Sequence, residues 1–120
     1  MGFEPFTVAR VPFPFTDRTA TKNRPALILS DATLFNNLAG HSVMAMITSA
    51  SNAPWPLDCV LEDLTAAGLP SPSKVRFKLF TLDHRLVRGE LGRLSPTDEQ
   101  NVRQALAQLL GTHPLSHLGR

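Results

Sequence analysis

Apolar positions in this chain fall mostly in short runs, parted by polar and turn-forming residues. Thr7 to Val11 reads as a strand, with Pro12 and Pro14 marking its end or an edge position. Pro25 to Ser30 and Ser42 to Thr48 are largely apolar runs of the length that suits strands buried on both faces. Between them, Asn36-Asn37 and Gly40 punctuate a loop. Ser51 to Pro56 contains Pro54-Trp55-Pro56, which predicts an extended, irregular segment. Glu62 to Ala67 has room for one or two helical turns, stopped by Gly68 and Pro70. Val75, Phe77 and Leu79 then alternate with Arg76 and Lys78, a half-buried strand with two cations on one exposed face. A further strand is expected around Val87 to Leu91, with Gly89 and Gly92 weakening it.

The clearest helix comes last. Ser95 is its cap, Pro96 its first residue and Asp98 an acid in the favoured first turn. Val102, Ala105, Leu106, Leu109 and Leu110 form an apolar stripe that predicts packing on a sheet, and Gly111 ends the element. The fold class is therefore mostly β with α: a small, strongly curved sheet or barrel with a C-terminal helix against it, in one domain over residues 1–120. The tail from Thr112 to Arg120 is expected to be loosely held.

Net charge is +2, yet its sign is unevenly spread. Asp58, Glu62 and Asp63 cluster mid-chain, while Arg18, Lys22, Arg24, Lys74, Arg76 and Lys78 form two basic groups, an arrangement compatible with a polyanion partner. Apolar length is nowhere sufficient to span a bilayer, so a cytoplasmic protein is expected. The lone Cys59 reads as a small buried residue rather than a nucleophile. His113 and His117 are four apart, but Pro114 spoils a shared helical face, and no carboxylate set suited to holding a catalytic metal is visible. Arg24, held extended by Pro25 where a buried strand begins, is a rigidly mounted guanidinium suited to a phosphate. Thr48 and Ser49 end a buried run and bring hydroxyls out at the strand's mouth. Trp55 either stacks on a nucleobase or plugs the core, the latter being the more ordinary fate of a Trp.

The order of these residues carries more than their spacing. PFPFTD (12–17), a short basic loop and RPALILS (24–30) resemble the opening of the MazF/PemK family of toxin ribonucleases. Ile47-Thr48-Ser49 matches that family's second site element, and KLFTLDHRLVRGELGRLSP (78–96) is similar to the closing segment of its PemK-like branch. The resemblance implies an SH3-like barrel that forms a homodimer, acting as the toxin of a type II toxin–antitoxin pair. It implies sequence-selective cleavage of single-stranded RNA without metal or cofactor: the RNA's own 2′-hydroxyl attacks the adjacent phosphorus, leaving a 2′,3′-cyclic phosphate and a 5′-hydroxyl. By the same resemblance Arg24 and Thr48 are catalytic, Lys22, Ser49, Arg76 and Lys78 are candidates for binding RNA, and the partners are RNA, a second copy and a cognate antitoxin. Three departures stand beside it. The family's Gly-Asp opening corresponds to Phe6-Thr7, the loop from Arg18 to Asn23 has no Glu, and Lys78 stands where some relatives carry an acid. A catalytically inactive RNA-binding or regulatory module on the same fold is the alternative. A gyrase poison of the CcdB kind is a more distant one, since the chain lacks an aromatic C-terminal motif.

Overall fold

The computed structural model describes residues 2–13 and 22–112, so most of the polar loop ahead of Arg24, together with His113 and His117, lies outside the described residues. Strands β1 (Thr7–Phe13), β2 (Lys22–Ile28), β3 (His41–Ser49), β4 (Cys59–Val60), β5 (Ser73–Asp83) and β6 (Gly89–Arg93) form one sheet. Its order is β4-β5-β3-β2-β1-β6, and every pairing is antiparallel. Helices α1 (Asn37–Ala39), α2 (Leu64–Ala67) and α3 (Pro96–Leu110) complete the described fold, with short π and 3₁₀ turns before α1 and after β5.

Two prolines sit inside strands, and the pairing shows why they are tolerated. Pro12 extends β1 beyond the expected end, but β6 reaches only as far as Arg10, so β1 is an edge on that side. Pro25 pairs with Arg10 of β1, while the ladder between β2 and β3 begins only at Ala26. Its missing N–H costs no ladder bond on the β3 side.

Side chains alternate between two cores. Val8, Leu27, Ala45, Ile47, Val75 and Phe77 face α3 and meet its Val102 and Ala105. Ala9, Val11, Ala26, Ile28, Met44 and Leu82 form a second cluster on the other face. Both faces being covered explains the near-continuous apolar runs.

The two sheet edges are drawn together by the helices, giving a curled half-barrel. Ser95 Oγ accepts the Asp98 N–H at 3.2 Å, as a helix cap should. Asp98 is itself buried and does more: its carboxylate accepts the N–H groups of Glu62 and Asp63 at 3.0 Å, fastening α3 to the segment after β4. That segment leads into α2, which lies on β6 so closely that a Cβ on Gly92 would fall 2.4 Å from the Ala66 carbonyl oxygen.

Three expectations are corrected. The segment punctuated by Asn36-Asn37 is a π-helical turn (Ala32–Asn36) running into α1, not a loop. Asp31 accepts the Leu34 N–H at 2.8 Å, and the buried Asn36 amide donates to the carbonyls of Phe3 (2.6 Å) and Ser30 (2.8 Å). Hydrogen bonds of two polar side chains, Asp31 and Asn36, organise this turn; Leu34 within it and Leu38 just after it are exposed, so no buried stripe announces it. The stripe of α3 is likewise only partly covered, because Leu109 and Leu110 extend past the sheet and stay exposed. Cys59 is half-buried rather than buried; burial, then the nearby Asp58 and Asp98 charges, push its thiol pKa up, away from nucleophilic use.

Candidate active site

The β2–β3 ladder ends at Ala26 opposite Met46. Carried two residues further, the same register sets Arg24 across from Thr48, in the stretch where Pro25 has removed the bonding N–H. On the other side of β3, Thr48 pairs directly with Lys74 of β5. Directly opposed residues share a face, so Arg24, Thr48 and Lys74 form one row across three strands. Alternation adds Lys22, Arg76 and Lys78 to that face. It is the face away from α3, and Val11, Ala26, Met46 and Phe80 line a shallow apolar cleft beside Arg24. Arg24 and Lys22 are exposed there. The sequence thus mounts a permanently charged fork at a strand end beside a proline, across the extended register from the hydroxyl-bearing Thr48.

A loop folds over the β5 side of the row. Lys74, with only 6% of its side chain exposed, sits 3.1 Å from Asp58 and donates to the Asn52 carbonyl at 2.7 Å. Arg76 grips the same carboxylate through two nitrogens, at 3.1 and 3.3 Å, and donates to the Ala53 carbonyl at 2.6 Å. Burial works to raise the Asp58 pKa, but hydrogen bonds from Arg76 and Lys74 and from the Trp55 N–H outweigh it and hold the carboxyl below its ordinary value. The strapped loop presents Asn52, whose amide donates to Thr48 Oγ1 at 2.5 Å. With its oxygen accepting from Asn52, the Thr48 hydroxyl has its own proton left to donate to a phosphate oxygen.

The candidates therefore divide. Arg24, Thr48 and Lys22 share the open end of the row, and Lys78 is exposed on the same face. Arg76 is not the exposed cation expected of an alternating strand, since Asp58 neutralises much of its charge. Ser49 has the opposite parity to Thr48, and its hydroxyl is engaged with Ser51 at 2.9 Å. Trp55 does not plug the core; it is 41% exposed and lies over the Lys78 ammonium at 4.5 Å and the Arg76 guanidinium at 5.8 Å. Asn52, Asp58 and Lys74 complete the site without having been singled out for it from sequence. The opposite signs of Asp58 and the Lys74–Arg76 pair were the available signal, but they stand 16 and 18 positions apart in the chain, with β4 and α2 between them.

Among the described residues, His41 and His84 stand apart from this row. His84 stacks on Phe3 and meets Ser42 Oγ at 2.7 Å, and burial, then the neighbouring His41, keep its pKa below the ordinary value. Among the described residues no cluster of three or more His, Cys, Asp or Glu side chains is placed to hold a metal ion.

A curled antiparallel sheet closed by a C-terminal helix, with Lys22, Arg24 and Lys78 exposed on the face away from α3, defines a small half-barrel protein with a cationic face. Residues 4–110 match the PemK-like, MazF-like toxins of type II toxin–antitoxin systems, and the chain belongs to that family. Solved structures agree in fold. A MazE–MazF complex from Deinococcus radiodurans superposes with a TM-score of 0.71 at 25% identity, over 90% of this chain and 95% of that one. An endoribonuclease in complex with its cognate antitoxin from a mycobacterial species gives 0.71 at 19% identity, over 92% and 96%. The Mycobacterium tuberculosis toxin MazF-mt6 gives 0.65 at 20% identity, over 90% and 97%. No curated protein matches the chain significantly.

Proposed function

We propose that this toxin is a metal-independent, sequence-selective endoribonuclease that cuts single-stranded RNA by attack of the 2′-hydroxyl on the adjacent phosphorus. What supports the reading is the register of β2 on β3, which, carried two residues past Ala26 opposite Met46, sets Arg24 across from Thr48. As the 2′-oxygen bonds to phosphorus, the phosphoryl oxygens gain negative charge. Arg24 meets that charge with paired N–H donors, and the Thr48 hydroxyl, oriented by Asn52, donates beside it. The 2′-hydroxyl gives up its proton to solvent as it attacks, the bond to the 5′-oxygen breaks and that oxygen takes a proton from solvent, leaving a 2′,3′-cyclic phosphate on one product and a 5′-hydroxyl on the other. Lys22 and Lys78 attract the flanking phosphates. Asp58 serves as counter-ion to Lys74 and Arg76, not as a base, because its depressed pKa makes it a weak one.

The whole chain works as one domain in this reading, in the cytoplasm, as a homodimer held by a cognate antitoxin. An apolar hollow of about 210 Å³ between Leu29, Val43, Leu79, Leu106 and Leu110 suits burial against a second copy. The solved relatives include toxin–antitoxin complexes, and an acidic antitoxin segment is suited to the cationic face. No described helix is long and apolar enough to cross a membrane. The chemistry is tested by the product ends. An RNA with one cleaved site should yield cyclic phosphate and 5′-hydroxyl termini, and a single 2′-deoxy substitution 5′ of that bond should block the cut. Cleavage that survives the deoxy substitution would rule the mechanism out.

A further inference from the structure

Trp55 occupies a place that neither packing nor catalysis explains. Its backbone is tied at both ends to one residue: the Trp55 N–H donates to the Asp58 carboxylate at 3.1 Å, and the Asp58 N–H donates to the Trp55 carbonyl at 3.1 Å. Pro56 fixes the second position of this turn, and Leu57 holds its third at φ +65°, a conformation ordinarily left to Gly or Asn. A bulky residue strained in this way persists only where its surroundings enforce it, and here Lys74 and Arg76 do so through Asp58. The indole itself is 41% exposed. Arg76 and Lys78 project from one face of β5 two residues apart, and both cations reach the ring, the Lys78 ammonium at 4.5 Å and the Arg76 guanidinium at 5.8 Å from its centre. A large apolar ring held rigidly outward, with positive charge close to it, offers what an unpaired nucleobase and its phosphates need.

We propose that Trp55 is a stacking platform for one unpaired base of the RNA next to the cleaved phosphate, with Lys78 meeting the phosphate attached to that base. This rests on the ribonuclease reading above and adds a base subsite to it. Stacking is tolerant of base identity, so Trp55 contributes affinity and register along the strand, while edge contacts by other groups decide sequence.

The chain has one Trp and no Tyr, so its indole fluorescence reports Trp55 alone. The probe is a mixed-sequence single-stranded RNA made uncleavable by 2′-O-methylation, titrated into the full chain beside an abasic strand of equal length. Quenching by the RNA but not by the abasic strand is expected. Trp55→Ala should bind the RNA about tenfold to a hundredfold more weakly, and Trp55→Phe should recover most of that loss. Unchanged fluorescence on RNA binding, equal quenching by the abasic strand, or full affinity in a folded Trp55→Ala would overturn the platform. Cleavage of ordinary RNA by the same preparation separates the two claims. Cutting with a silent Trp55 sinks the platform alone, whereas a wild type that neither binds nor cuts RNA sinks the ribonuclease reading with it.

Discussion

Asp58 is the residue on which the β5 side of the site depends. It faces two cations, one of them nearly buried, and each also donates to a backbone carbonyl of the loop. Removing one partner of such a pair leaves the other charge stranded, which costs far more than the pair gains over apolar packing. Asp58→Asn should therefore lower stability by roughly 3 kcal/mol in urea unfolding. The acid limb of the stability curve should change with it. Because the folded pKa of Asp58 lies below 3.8, its contribution is complete at neutral pH, begins to fall as pH drops through that value and is gone below the folded pKa. Unfolding curves from pH 6 to pH 2 should show that decline in the wild type and a weaker one in Asp58→Asn. Parallel curves would mean that Asp58 is not the counter-ion. Phe6 adopts φ +68°, with its ring buried beneath Arg103 at 4.5 Å, so packing against α3 holds a bulky residue in a backbone conformation ordinarily left to Gly.

At the scale of elements, the strands and the final helix are legible from local pattern. Ser95, Pro96, Asp98 and Gly111 each occupy their expected place in α3, and Gly68 ends α2 as its left-handed cap. What local pattern does not carry is how elements meet. Gly92 reads as a weakness in β6, yet it is the place where α2 touches the strand. Gly92→Ala should destabilise the protein by about 1–3 kcal/mol through that clash alone, measured as a lowered Tm. An unchanged Tm would mean that α2 sits further from β6. The same limit applies to the site. Arg24 and Thr48 are readable as candidates because each ends a buried run, and their alignment follows from the register of β2 on β3. The pairing of Asp58 with Lys74 and Arg76 depends on a loop closing over β5, and no periodicity encodes that closure. Trp55 is misread as core for the same reason, since the segment around it has no pattern that distinguishes a ring turned inward from one turned out.

For the whole molecule, the two faces of the sheet divide the work. One is filled by α3 and carries stability, and the other ends in a cation-lined mouth. Along the rim between them, Leu79 and Leu110 remain exposed, Leu110 by 58%. In the proposed homodimer this rim is the contact surface. Leu79→Glu combined with Leu110→Glu should shift a dimer to monomers in sedimentation while leaving the circular dichroism unchanged. A dimer that survives both charges would place the second copy elsewhere.

In the proposed mechanism Arg24, across the extended register from Thr48, cuts RNA without a metal. The most direct measurement is cleavage of a long single-stranded RNA by the purified protein in excess EDTA, beside Arg24→Ala. The wild type should cut at a limited set of sites, and the variant should be slower by about 10²–10³-fold with its fold intact. Loss of wild-type cleavage in EDTA, or an Arg24→Ala protein that cuts as fast as its parent, would contradict the account.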